Sequence, residues 1–238
     1  PDQYHEAAEG IVDGVSISNP DPSSYTFTNI AANHTIKVVF ERKQTGLTIT
    51  AKNQSYIYND TAQGIAGQTV SSNLDSVVTV TGLQAGHRLE SVYIGGSPQR
   101  NAGVYTDTLV PSGARIVDSG GQDVTGSYGI NYYPGTLTIH KKGNGKPDGQ
   151  GGEEPMVINA LDQTYTYTGT PQGIFGTNLS ITAGSQLIEG IELVPGHRIY
   201  VADLNGTQRT DPGTYTDAIV PNNVRILSGT GVDVTPNY

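Results

Sequence analysis

The sequence predicts an all-β chain, two antiparallel β-sandwich repeats preceded by part of a different small β-module, and three observations predict it. Composition is the first: Gly 31, Tyr 14 and only one Met in 238 residues, with abundant Thr and Val and no stretch that spaces apolar residues as a helix does. Periodicity is the second, because the apolar runs alternate with period two and are separated by Gly, Pro, Asn and Asp. Self-comparison is the third. Leu47–Tyr128 aligns with Met156–Tyr238 at about one third identity with a single short gap, and a repeated sequence unit implies a repeated structural one.

Residues 1–46 match neither copy. "GVSIS", "SYTFTNI" and "HTIKVVFERK" read as three strands, the last presenting Ile36, Val38 and Phe40 on one face. Three strands are too few to close a core alone. The first repeat spans 47–142, with strands predicted at "LTITA", "SYIY", "VVTVTGL", "RLESVYI", "VYTDTLV", "ARIVD" and "GTLTI". Turns are predicted at Asn59-Asp60, Gly95-Gly96, Pro111-Ser112-Gly113 and Pro134-Gly135. About seven short strands at this spacing suit an antiparallel sandwich.

"KKGNGKPDGQGGEEP", Lys141–Pro155, is rich in Gly and charge and poor in apolar residues, so 143–155 reads as a flexible linker. The second repeat spans 156–238. Where the first copy continues past Tyr128 into "GINYYPGTLTIHKK", the second ends at Tyr238, so it is expected to lack its last strand and to leave a sheet edge open to pairing with another chain. The opening "PDQYHEAAEG", without an initiator Met, reads as a piece of something longer.

The net charge of −9, from 22 acidic and 13 basic residues, speaks against nucleic acid and anionic membranes, both of which require clustered Lys and Arg. No apolar run is long enough for membrane insertion. Cys 0 excludes disulfides, zinc–thiolate sites and cysteine nucleophiles. No Gly-rich strand-to-helix turn or nucleophile elbow is present, so the sequence calls for no cofactor and no enzyme.

"NAGVYTD" at Asn101–Asp107 returns as "DPGTYTD" at Asp211–Asp217. The pattern resembles the D-x-G-x-Y-x-C signature of immunoglobulin-type domains, which gives Tyr105 and Tyr215 the role of a corner tyrosine bonded back to the backbone. Asp107 and Asp217 stand where that family has its second disulfide cysteine. An unpaired carboxylate inside a sandwich costs several kcal/mol, so each is expected to pair with a duplicated arginine, Arg88 and Arg198 or Arg115 and Arg225. The ordered set "Y-x-Y-x-G", "GHR", "YTD…VP" and "PGTLTI" is similar to the MBG-type repeats of bacterial surface proteins. "GIVDGVSISNPDPSSYTFTNIAANHTIKVVFE" resembles the C-terminal half of a divergent internalin-type B-repeat. These resemblances imply a spacer or adhesive stalk, secreted or bound to the cell wall, whose partner is a protein or glycan at a surface.

The remaining candidates are weighed residue by residue. Asp107 with Asp123, and Asp217 with Asp233, are the matched acids a hydrolase would need. His87 and His197, in "GHR", read as surface-turn histidines without ligand spacing. "DSGGQD", Asp118–Asp123, reads as a turn with calcium as its alternative. Lys52, the lysine placed for an isopeptide bond, faces Leu161 in the other copy. Tyr56 and Tyr58, and in the second repeat Tyr165 and Tyr167, alternate along a strand and share a face, as a glycan platform would require. A carbohydrate-binding module of an extracellular enzyme is therefore the alternative function.

Overall fold

The computed structural model describes residues 5–17, 25–28, 30–42, 44–180, 187–189 and 192–238. They are almost wholly β, with one four-residue helix and two 3-10 turns. The chain divides into two compact units, Pro1–Lys52 with Gln68–Gly95 and Val110–Pro134, and Asn53–Gly67 with Gly96–Leu109 and Gly135–Tyr238. These boundaries cut across 47–142 instead of falling at its ends.

The first unit holds three small sheets. At its N-terminal end β1 (His5–Val12) lies between β2 (Val15–Ile17) and β3 (Ile36–Arg42), all antiparallel. The third strand of this module is therefore β1, not "SYTFTNI", whose described residues form no strand. A strand reading "HEAAEGIV" escapes propensity because Glu and Ala are depleted from strands. Ile36 and Phe40 are 51% and 47% exposed, so the apolar face of β3 is largely uncovered.

In a second sheet β4 (Thr45–Ala51) lies between β7 (Val78–Thr81) and β11 (Tyr128–Tyr133). Leu47, Ile49 and Ala51 are buried at alternate positions along β4, as the period-two reading requires. The start of "VVTVTGL" is not strand, because α1 (Leu74–Val77) delivers the chain to β7. The β4–β11 pairing is parallel, against the antiparallel expectation. The more than 70 residues between the two strands allow this, since parallel neighbours need only a long connection.

In the third sheet β8 (Arg88–Ile94) lies between β6 (Gln68–Val70) and β10 (Pro111–Val117). Pro111-Ser112-Gly113 is not a turn between strands but the start of β10, whose register shifts after Ser112 with Gly113 at φ 55°. A left-handed residue inside a strand is a bulge, and a turn signal read from Gly and Pro cannot distinguish the two.

The second unit begins with the sheet β5-β12-β9. Its central strand β12 (Gly135–His140) runs parallel to β5 (Gln54–Ile57) and antiparallel to β9 (Gly103–Leu109). Leu137, Ile139 and Leu109 are buried there. The second repeat contributes the short pair β13 (Asn159–Ala160) and β15 (Ile188–Glu189) and the sheet in which β16 (Arg198–Asn205) lies between β14 (Gly176–Ser180) and β17 (Val220–Leu227). Ile188, Ile199, Ala202, Leu204, Ile226 and Val234 form its core. Residues 163–166 and 213–219, the counterparts of β5 and β9, are not strands.

The predicted flexible linker is folded. Glu153 is almost buried and gathers Lys142 Nζ at 2.9 Å with the amides of Gly143 and Gly145 at 2.8 and 3.2 Å. Burial works against its charge, but Lys142 and these amides outweigh it and hold its carboxyl below the ordinary glutamate range. Asp148 accepts from the amides of Gln150 and Gly152 at 2.7 and 3.0 Å. Composition reported Gly and charge correctly; it could not report that the charges satisfy the backbone that the glycines expose.

Candidate functional site

Tyr105 Oη donates to Asn101 O at 2.9 Å and Tyr215 Oη to Asp211 O at 2.8 Å, so each tyrosine ties its own strand to the residue four positions earlier. Asp107 and Asp217 are not buried and take no arginine. Both are exposed with left-handed backbone, φ 53° and 52°. Asp107 sits where the β9–β12 register skips between Gly135 and Leu137. Asp is among the few residues that tolerate this conformation, so the repeated acid is explained by its backbone and needs no countercharge.

Three of the four arginines are engaged elsewhere. Arg115 reaches Glu90 and Asp123, Arg225 binds Asp233 at 2.9 Å, and Arg88 stands 3.9 Å from Glu90. Arg198 is exposed at the start of β16. Asp123 and Asp233 each cap a backbone amide, of Thr125 and Thr235, at 2.9 and 3.0 Å. The threonine first and the arginine after it hold Asp123 low; the same pair of contacts does so for Asp233. A carboxylate held low in an ion pair is a poor general acid.

The supposed calcium turn is closed by its own side chain, Asp118 Oδ1 accepting from Gly120 N and Gln122 N at 2.8 and 2.9 Å. Among the described residues no group of three His, Asp or Glu is arranged to hold a metal. Lys52 Nζ donates to the carbonyl of Asp75, not to an asparagine or carboxyl side chain. No described helix is long and apolar enough to cross a membrane.

His87 and His197 are not free side chains of a surface turn. His87 Nδ1 lies 2.6 Å from Tyr128 Oη, and His197 Nδ1 lies 2.8 Å from Tyr238 Oη. The His197 side chain is only 2% exposed. It belongs to a compact polar cluster of the second unit. Asp60, at φ 62° in the predicted turn, receives Arg100 Nε and Nη2 at 2.8 Å each and Tyr58 Oη at 2.9 Å. His197 Nε2 lies 3.1 Å from Asp60 Oδ2 without a hydrogen bond between them. Hydrogen bonding to Arg100 dominates over burial, and with the neighbouring His197 ring and the Tyr58 hydroxyl it drives the Asp60 carboxyl far below the usual range.

Tyr58 is 1% exposed, its ring 5.9 Å from that of Tyr238 and 6.1 Å from His197. Burial, then hydrogen bonding to the Asp60 carboxylate, pushes its phenol well above the ordinary tyrosine value. Burial also raises Tyr238. Asn237 completes the contact, its Oδ1 accepting from Ala102 N at 2.8 Å and its carbonyl from Lys142 N at 2.9 Å. Tyr58, Asp60, Arg100 and Ala102 come from the first repeat and His197, Asn237 and Tyr238 from the second, so this cluster is the joint between them. Sequence reading placed Tyr58 on a glycan platform and overlooked Asp60 and Arg100. The signal available was that Asp60 and Arg100 are replaced by Gly169 and Thr210 in the other copy.

Of the other platform residues, Tyr56 is half-buried and donates to Gln54 Oε1 at 3.1 Å. Tyr165 and Tyr167 are 46% and 62% exposed. They line an open groove of about 590 Å³ together with Phe175, Arg209 and Tyr215. The Arg209 guanidinium stands 4.9 Å over the Tyr215 ring. No family model, curated protein or solved structure matches the chain.

Proposed function

We propose that the chain is a structural, non-catalytic stalk or spacer module of a secreted or wall-associated bacterial surface protein, built from tandem immunoglobulin-like repeats. The observation that carries this reading is the joint. The side chains at the repeat contact are spent on hydrogen bonds and burial around Asp60, Tyr58 and His197. A buried cluster whose hydrogen bonds form only in one arrangement favours that arrangement, which is what a load-carrying connection requires.

The test is mechanical. Pulled from its ends in single-molecule force spectroscopy, the chain should yield at the joint in a resolved force peak that Asp60→Ala abolishes. A joint that extends without resistance in the unaltered chain would end this reading.

One observation favours a second reading, a carbohydrate-binding module of an extracellular enzyme: Tyr165, Tyr167 and Tyr215 stand exposed along one groove, and tyrosine faces stack on sugars. A glycan-array signal lost in Tyr167→Ala would support it; the stalk reading expects no signal.

A further inference from the structure

We propose that the groove of the second repeat is a strand acceptor, and that its occupant is an extended polypeptide segment with the chemistry of β12: an uncharged Gly-Thr-aliphatic-Thr-aliphatic run. The argument stands on the internal copy and does not depend on the stalk reading.

In the first repeat β12 is inserted between β5 and β9. Leu137, Thr138 and Ile139 face Gln54, Ser55 and Tyr56 on one side and Tyr105, Val104 and Gly103 on the other. In the second repeat the counterparts of those two walls, 163–166 and 213–219, border the groove, and no described strand lies between them. The groove occupies the place of the central strand.

The walls are already built. Gln54 clamps Ile65, accepting from its amide at 2.7 Å and donating to its carbonyl at 3.2 Å; Gln163 clamps Ile174 at the same two distances. Gln63 Nε2 reaches Ile57 O at 3.0 Å, and Gln172 Nε2 reaches Thr166 O at 2.9 Å. The bridge Gln63↔Gln99 returns as Gln172↔Arg209, and the Tyr105 tie returns at Tyr215. What differs is the middle. Residues 163–166 and 213–219 present backbone groups that β5 and β9 spend on a ladder, and an unpaired edge binds an incoming strand by the same hydrogen bonds.

The floor shows where the first aliphatic side chain goes. Gly64, at φ 110°, leaves room for Leu137, whose Cδ2 would lie 2.9 Å from a Cβ at that position. Gly173 keeps this conformation at φ 120°, and there the Phe175 ring occupies the space instead. Phe175 stands where the first repeat has Ala66, so a side chain of the groove itself fills the seat of the missing leucine. Exposure differs in the same place: Tyr215 is 42% and Ile174 47% exposed, whereas Tyr105 and Ile65 are half-buried.

The experiment uses the full 238-residue chain and a synthetic peptide of residues 132–142, YYPGTLTIHKK, labelled at its N-terminus. Saturable binding by fluorescence anisotropy is expected. Hydrogen exchange should show protection rising at least tenfold at 163–166 and 213–219 and unchanged at 54–57. A peptide with Asp in place of its Leu and Ile should bind at least tenfold more weakly, and Phe175→Ala in the chain should tighten binding of the unaltered peptide. The proposal is overturned by no saturable binding, by equal binding of the Asp peptide, by protection at 54–57 instead of the groove, or by a glycan-array ligand that protects the groove while the peptide does not.

Discussion

Asp60→Ala tests the joint most directly. The substitution removes the acceptor of Tyr58 Oη, which is 1% exposed, and the carboxylate beside the Nε2 of His197, whose side chain is 2% exposed. A buried hydroxyl left without its acceptor costs about 1–3 kcal/mol, and His197 Nε2, which has no hydrogen bond to lose, adds nothing to this. Arg100 adds little to this loss, because its side chain is 57% exposed and is solvated once released. The contact has its own reporters, since the amides of Ala102 and Lys142 are bonded to Asn237. Hydrogen exchange at those two amides should accelerate about 5- to 150-fold in Asp60→Ala. Arg100→Ala should accelerate it no more than about threefold. The reasoning separates a buried centre from an exposed ion pair, so equal effects of the two substitutions would refute it, as would unchanged exchange at Ala102 and Lys142.

The pH dependence follows from the carboxylates held low. A depressed folded-state value contributes stability that is complete above the unfolded carboxylate value near 4 and lost as pH falls below it, so urea midpoints should be flat from pH 7 to 5 and should drop below pH 4, less steeply in Asp60→Ala. At the alkaline end Tyr58 and Tyr238 are raised, so their contribution is complete below about pH 10 and lost above it; phenolate absorbance should show these two tyrosines ionising only as the second unit unfolds. Gly96 adopts φ 93° in the turn before β9, and a Cβ there would strike the carbonyl of Thr108; Gly96→Ala should cost more than about 1 kcal/mol in chemical denaturation, whereas Gly86→Ala, at φ 81° in open space, should cost less. Asp107→Gly should be neutral or stabilising and Asp107→Val should cost about 1–2 kcal/mol; a large loss in Asp107→Asn, which keeps the backbone preference and removes the charge, would restore the ion pair that the sequence suggested.

How much the sequence disclosed depends on what each signal physically reports. Alternation reports which face of a strand is buried, and β4, β5, β8, β9 and β12 lie where the alternation places them. Pairing direction is another matter, because nothing in "LTITA" or "GINYY" records that β4 and β11 run parallel. Turn residues report left-handed backbone without reporting its setting: Gly113 and its counterpart Asn223 are both left-handed, at φ 55° and 46°, and both lie inside strands. The Gln54 and Gln163 clamps were present in the repeated "Q-x-Y-x-Y…QGI" lines, but a glutamine's partner is fixed by three-dimensional proximity and not by spacing. The joint was least legible, since its Asp60 and Arg100 have no counterparts, and self-comparison draws attention to what recurs.

That loss of recurrence is itself informative about Tyr58 and Tyr167. They occupy the same position in the same motif, yet one is 1% exposed and the other 62%. Strand propensity and alternation are identical for both, so the difference arises from what lies beyond the motif: His197 and Tyr238 cover Tyr58, and no described residue does the same for Tyr167. Covering a tyrosine stabilises by about 1.5–3 kcal/mol, and around Tyr58 the chain adds an acid and an arginine that recur nowhere else. The two copies differ at their contact by an acid and an arginine, and around Tyr58 those two side chains build the joint.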